Sequence, residues 1–149
     1  AGAFLAASNY SWSLGISNHK TFCETIDVPG IGRKSMWFRG GSAPVTMELT
    51  DEGRTILGDF EGVFEVRYQN GPIMSPMGRE GLGSFRSLAH FRSEVSKYKP
   101  QEGTMINTPA VIVGEFGNGR ILCISPHPES TDALNRLVQN AVRWTARRR

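Results

Sequence analysis

The chain has 149 residues, a formal charge of +3 at neutral pH and 39% hydrophobic residues. This composition is typical of a globular domain with one hydrophobic core and excludes a disordered chain. No apolar run approaches the roughly 20 residues that a membrane-spanning helix needs, so we expect no membrane partner.

The positive charge lies mainly at the C-terminal end, in Arg147 to Arg149, so the rest of the chain is close to neutral. A basic tail can bind nucleic acid, but no alternation of aromatic and basic residues accompanies this one. We therefore expect no nucleic-acid partner. Nucleic-acid binding through the three arginines is the alternative, and it predicts an affinity that falls steeply with salt.

The chain has two isolated cysteines, Cys23 and Cys123. They are too few for a disulfide framework, and no Cys-x-x-Cys spacing indicates zinc. They favour a reduced protein of the cytoplasm or of an organellar stroma or matrix over a secreted one. A single disulfide between them is the alternative. We expect no metal and no organic cofactor.

The N-terminal third contains short segments separated by turns. Ala1 to Ala7 are small and apolar and predict a buried helix. Residues 9–18 are polar and aromatic and predict a loop or a short broken helix. Cys23 to Gly32 predict extended chain with a turn at Pro29-Gly30.

A strand and a short helix are predicted next. A turn over residues 39–44 precedes the strand from Val45 to Leu49. Thr50-Asp51-Glu52 then caps a short helix that ends at Gly58, because side-chain oxygens at a helix start can accept from free N–H groups.

Two further strands are predicted on either side of a loop. Residues 63–68 alternate in polarity, and Asn70-Gly71-Pro72 ends that strand. The glycines and prolines of residues 74–83 predict a surface loop. In residues 85–92, the period-2 face of Phe85, Ser87, Ala89 and Phe91 favours a strand over a helix.

The clearest pattern is a β-hairpin near the C-terminal end. The apolar runs 110–115 and 120–124 flank Phe116-Gly117-Asn118-Gly119, whose residues tolerate positive φ. A helix follows over Ala133 to Trp144, with Ser130 or Thr131 as its cap. Its apolar stripe, which should dock on the sheet, contains Leu134, Leu137, Val138, Ala141 and Val142.

Between hairpin and helix lies the sequence Ser125-Pro126-His127-Pro128-Glu129. Each proline holds φ at about −65° and stiffens the loop. A glutamate that accepts from one imidazole nitrogen leaves the other free to take a proton from a thiol or hydroxyl. His127 and Glu129 are therefore the candidate acid–base pair, whereas His19 and His90 are interpreted as histidines hydrogen-bonded to neighbouring loops.

The first residues fit the helix side of a nucleophile elbow, Gly-x-nucleophile-x-Gly. Gly2 would be its second glycine if the nucleophile lay immediately before Ala1. The backbone N–H of Ala1 would then be an oxyanion donor at a helix N-terminus. The alternative is that Ala1 to Ala7 is a small-residue packing helix.

Three stretches together resemble the class I glutamine amidotransferase-like superfamily, and most closely its group named after the N-terminal domain of biotin-protein ligases. They are Ala1 to Ala6, Tyr68 with Asn70-Gly71-Pro72, and Gly119 to Glu129. The resemblance covers nearly the whole chain but only the C-terminal part of the family's domain. It implies one partial domain over residues 1–149, with a three-layer flavodoxin-like α/β fold that lacks its N-terminal strands.

In such proteins an elbow cysteine attacks an amide carbonyl, a histidine takes the thiol proton and a glutamate orients the histidine. The resemblance thus implies that His127 is the general base and Glu129 its orienting partner. The parent protein would hydrolyse a small-molecule amide of the glutamine type through a thioester.

The family's cysteine would precede Ala1 and has no match in this sequence, because neither Cys23 nor Cys123 stands at an elbow. Two interpretations follow. The chain is a piece of a longer protein that has the cysteine, or it is a non-catalytic binding or regulatory domain that keeps the His-Pro-Glu loop as architecture.

Overall fold

The computed structural model describes residues 3–5, 16–18, 25–28, 30, 32–35, 43–69, 74–76, 85–94, 105–116 and 118–146. Within these ranges the chain is mixed α/β, as predicted. The strands are β1 Ala3–Leu5, β2 Ile16–Asn18, β3 Thr25–Val28, β4 Gly32–Ser35, β5 Ala43–Leu49, β6 Val63–Tyr68, β7 Met74–Pro76, β8 Arg86–Phe91, β9 Pro109–Phe116 and β10 Gly119–Ile124. The helices are α1 Asp51–Leu57 and α2 Asn135–Ala146, the second preceded by 3-10 turns at Pro128–Ser130 and Asp132–Leu134.

Six strands form the main sheet, in the order β1-β10-β9-β8-β5-β6. β1 pairs with β10 in parallel, and the other neighbours are antiparallel. Flavodoxin-like sheets are parallel, so the described sheet differs from that expectation and agrees only with the broader α/β class. The short connection between β9 and β10 explains why this pair is antiparallel. A parallel pair would need a crossover of a dozen or more residues.

The main core lies between this sheet and the two helices. β5 buries every second side chain, Val45, Met47 and Leu49, as a strand with one solvated face should. A second, smaller cluster lies on the other side of the hairpin, where Met74 of β7 packs with Ile112 and Cys123. The β9–β10 hairpin is therefore buried on both faces.

α1 confirms the predicted short helix and its caps. The Gly53 N–H donates to Thr50 Oγ1 at 3.0 Å, and Gly58, at φ 111°, donates its N–H to the Arg54 carbonyl. The helix also lies very close to β8, since a Cβ on Gly53 would stand 1.9 Å from the Leu88 carbonyl oxygen. Only glycine permits this approach.

α2 confirms the predicted helix, but its buried face and its N-terminal cap differ from the prediction. Leu137 and Ala141 are fully buried, whereas Val142 is 49% exposed. The buried face continues at Thr145 instead, one helical turn after Ala141. Thr131 starts a 3-10 turn without a side-chain cap hydrogen bond, and the Ser130 hydroxyl accepts from Arg67.

Three local predictions are wrong where the structure describes them. Ala3–Leu5 form β1 rather than part of a helix, because their backbone pairs with β10. Ile16–Asn18 and Met74–Pro76 pair with each other as β2 and β7 instead of forming loops. In each case, pairing with a strand distant in the sequence makes the segment a strand. The remainder of the three predicted segments lies outside the described residues.

The other strand predictions are confirmed. β3 and β4 form a hairpin with Gly30 in its turn, and β5, β6 and the β9–β10 hairpin lie where the patterns place them. In β8 the predicted alternation is interrupted, since Leu88 and Ala89 are both fully buried. A register irregularity between Ser87 and Ala89 in the pairing with β9 explains this.

The main sheet is curled. β6 ends the strand order, and three strands lie between it and β10. Even so, the backbone N–H of His127, just after β10, donates to the Arg67 carbonyl of β6 at 2.7 Å. The curl brings the loop after β10 against β6. No helix in the described part of the chain is long and apolar enough to cross a membrane.

Candidate acid–base site

The loop that carries His127 has a fixed backbone. It leaves β10 at Ser125, whose N–H donates to the Ala110 carbonyl of β9 at 2.9 Å. Ser125, Pro126 and Pro128 are buried, and Pro128 begins a 3-10 turn. A proline suits that position because it has no N–H to satisfy. The two prolines thus stiffen the loop from buried positions.

The structure brings the two candidate side chains together. His127 Nδ1 lies 2.8 Å from Glu129 Oε1, and the side chains are 28% and 40% exposed. A carboxylate only accepts, so Nδ1 must carry the hydrogen of this bond. The neutral imidazole is thereby held in the tautomer that leaves Nε2 with a lone pair.

A carbonyl oxygen faces the other ring nitrogen. His127 Nε2 lies 3.3 Å from the carbonyl oxygen of Gln69, just after β6. Both contacts are satisfied together only when the ring carries two hydrogens, as in the imidazolium. The neutral ring has a lone pair next to an acceptor, so the ring must turn slightly away from Gln69 to accept a proton from another group.

Arg67 connects the loop to β6 through its side chain as well as its carbonyl. Its Nη2 donates to Gln69 Oε1 at 2.8 Å, and its Nη1 donates to Ser130 Oγ at 3.4 Å. Neither Arg67 nor Gln69 is predicted from the sequence as part of this site. In the sequence, Arg67 is recognisable only as a residue on the polar face of β6, and Gln69 only as a polar residue just after it. That pattern does not reveal that the sheet curls and brings β6 next to the His127 loop.

Cys123 does not fit the role of nucleophile. It is a free, buried thiol on β10, in the cluster with Met74 and Ile112. Burial raises the pKa of Cys123 to about 12, so the thiol stays protonated at neutral pH. This agrees with its interpretation as a strand residue. Cys123 is a free thiol in this structure, and the alternative of a Cys23–Cys123 disulfide stays a prediction because Cys23 lies outside the described residues.

Ala1, His19 and Cys23 lie outside the described residues. The described segment nearest to Ala1 in the sequence is β1, in which Ala3 pairs with Leu122 and Leu5 with Ile124. The C-terminal end of β1 therefore lies beside the strand end that leads to His127.

His90 lies away from this site. It stands directly opposite Glu48 in the β5–β8 pair, and Glu48 is bound by Arg92 at 2.8 Å. Partial burial, and then the Arg92 charge, lower the pKa of His90, while Glu48 opposes the shift. The described residues include no hydrogen-bond partner for its ring, so the loop contact expected from the sequence is not among them.

The described residues contain no group of three or more His, Cys, Asp or Glu side chains that could hold a metal ion. No match to this chain is found among models of protein families, among curated proteins or among solved structures. The interpretation of the site therefore rests on the geometry of His127 and Glu129.

Proposed function

We propose that this chain is the C-terminal part of a class I glutamine amidotransferase-like protein that hydrolyses a small-molecule amide of the glutamine type. His127 would be the general base of a Cys-His-Glu triad, and Glu129 would orient it. The observation that supports this most directly is the 2.8 Å contact between His127 Nδ1 and Glu129 Oε1 in a proline-stiffened loop.

The proposed chemistry follows from that contact. With Nδ1–H donated to Glu129, His127 Nε2 takes the proton of a cysteine thiol. The thiolate forms a C–S bond with the amide carbonyl, and the imidazolium gives its proton to the departing nitrogen. A thioester remains, and water, deprotonated by the same imidazole, hydrolyses it to the acid and the free thiol.

The nucleophile of this proposal is a cysteine immediately before Ala1, as the family resemblance implies. The structure does not support the helix N-terminus that would make the Ala1 N–H an oxyanion donor, because Ala3–Leu5 form a strand. The register of β1 also argues against this position, since Ala3 pairs with Leu122, five residues before His127. Cys123 is unsuitable because it is buried and protonated. The proposal also includes the finer fold, in which strands N-terminal to this chain complete a three-layer flavodoxin-like domain.

The test is covalent labelling of the protein extended by its native upstream sequence, with a thiol-directed glutamine analogue. We expect one label per chain and a labelling rate lower by about 10²-fold or more in His127→Ala, the usual size of a general-base contribution. Glu129→Gln should slow labelling less, because the base remains. Cys123→Ala and His90→Gln are matched controls that should label normally. Unchanged labelling of His127→Ala would refute the assigned role.

A second candidate is a non-catalytic binding or regulatory domain in which the loop is architecture. The contacts of His127 with Arg67 and Gln69 favour it, since they tie β10 to β6 without any substrate. The residue immediately before Ala1 separates the two candidates. A cysteine there supports the hydrolase, and Ser, Gly or Asp supports the binding domain.

A further inference from the structure

A cavity of about 260 Å³ lies between α1 and α2, away from the His127 loop. Ile56 and Trp144 form part of its wall and also pack against the main core. Arg136 and Arg143 line it from α2, two helical turns apart. The residues around the cavity include no carboxylate, so two cations share it without a counter-charge.

These two arginines differ from others in the described part of the chain. Arg54, Arg86 and Arg92 each form an ion pair with a carboxylate. Arg136 has neither an ion pair nor a hydrogen bond among the described residues, and Arg143 contacts only the amide oxygen of Asn140, at 3.3 Å. Guanidinium donors are therefore still available at this cavity.

Two backbone carbonyls at the C-terminal end of α1 already have hydrogen-bond donors other than the arginines of α2. Asn140 Nδ2 donates to the Leu57 carbonyl at 2.8 Å, and the Gly58 N–H donates to the Arg54 carbonyl at 3.0 Å. The arginines are thus not the groups that cap this helix end. Asn140 instead fixes Arg143 beside the cavity through its other amide atom.

We propose that this cavity binds a small phosphate monoester, with the phosphate between Arg136 and Arg143 and the uncharged part against Ile56 and Trp144. A phosphate dianion offers several acceptor oxygens, so it can accept from two guanidinium groups at once and offset their mutual repulsion. The site is separate from the His127–Glu129 pair and does not depend on the proposed hydrolase activity.

The test is calorimetric titration of the 149-residue protein with inorganic phosphate and with glycerol phosphate, in chloride buffer at constant ionic strength. We expect saturable binding, tighter for glycerol phosphate, and weaker by at least about tenfold in the double variant Arg136→Gln, Arg143→Gln. Arg86→Gln removes the same kind of charge elsewhere and should bind normally. Amide NMR signals of Thr55, Gly58 and Asn140 should shift with the ligand.

Three results would overturn the proposal. They are no saturable binding at millimolar phosphate, equal weakening in Arg86→Gln, and glycerol phosphate binding no tighter than inorganic phosphate. Both arginines are exposed, so the double variant should fold, and thermal unfolding checks this. If the original protein binds no phosphate and the double variant has a lower melting temperature, the arginines stabilise α1 and do not form a binding site.

Discussion

The backbone N–H of His127 donates to the carbonyl of Arg67 at 2.7 Å and so joins the loop after β10 to the strand at the far end of the sheet order. This bond places the imidazole beside the Gln69 carbonyl and the Arg67 side chain beside Ser130. The position of the His127 ring therefore depends on the curl of the whole sheet as well as on its own loop.

The His127 amide is predicted to exchange slowly with solvent although it lies in a loop, because its hydrogen is bonded to β6. Hydrogen–deuterium exchange followed by NMR checks this. Exchange at the rate of an unstructured peptide would contradict the bond. Arg67→Ala should leave the protection largely in place, since the acceptor is a backbone carbonyl and the lost side-chain contacts are exposed.

Gly53→Ala is predicted to destabilise the protein by about 1–3 kcal/mol or more, although alanine is the better helix former. The new methyl group would stand 1.9 Å from the backbone oxygen of Leu88, so α1 must move away from β8. Urea unfolding measures the change. Thr55→Ala, at an exposed position of the same helix, is the control and should change stability far less.

Thr50→Ala is predicted to cost about 1 kcal/mol of stability, because the Gly53 N–H loses its acceptor at the start of α1. Thr50→Ser should recover most of the loss, since the hydroxyl remains. Chemical denaturation of the three proteins checks the order. Equal stability of the alanine and serine variants would show that the cap does not contribute.

Cys123 is predicted to resist thiol reagents in the folded protein at pH 8–9 and to react after unfolding. A Cys23→Ser background leaves one thiol to measure. Burial raises the pKa of Cys123 from 9.0 to about 12, so the unfolded chain loses the proton first as the pH rises. The folded state should therefore lose stability as the pH increases from 9 toward 12.

That loss of stability between pH 9 and pH 12 should be smaller in Cys123→Ala, which has no thiol to titrate. The comparison is of the slope against pH and not of absolute stability, because the alanine also removes buried volume. An identical slope in both proteins would contradict a buried, protonated thiol.

Local patterns in the sequence determined much of the secondary structure. Thr50 and Gly58 bracket α1, and the two apolar runs on either side of a short turn sequence form the β9–β10 hairpin, because caps and turns depend on residues a few positions apart. The spacing His127-Pro128-Glu129 likewise sufficed to predict the contact of imidazole and carboxylate, since both side chains lie in one stiff loop.

Only the tertiary structure decided which distant segments meet. Ala3–Leu5 form a strand because their backbone pairs with β10. Met74 is buried because it packs against Ile112 and Cys123 of the hairpin. Arg67 and Gln69 reach His127 through the curl of six strands, and Arg136 faces Thr55 and Gly58 through the packing of two helices. These relationships arise from long-range pairing and packing, whose partners no local spacing specifies.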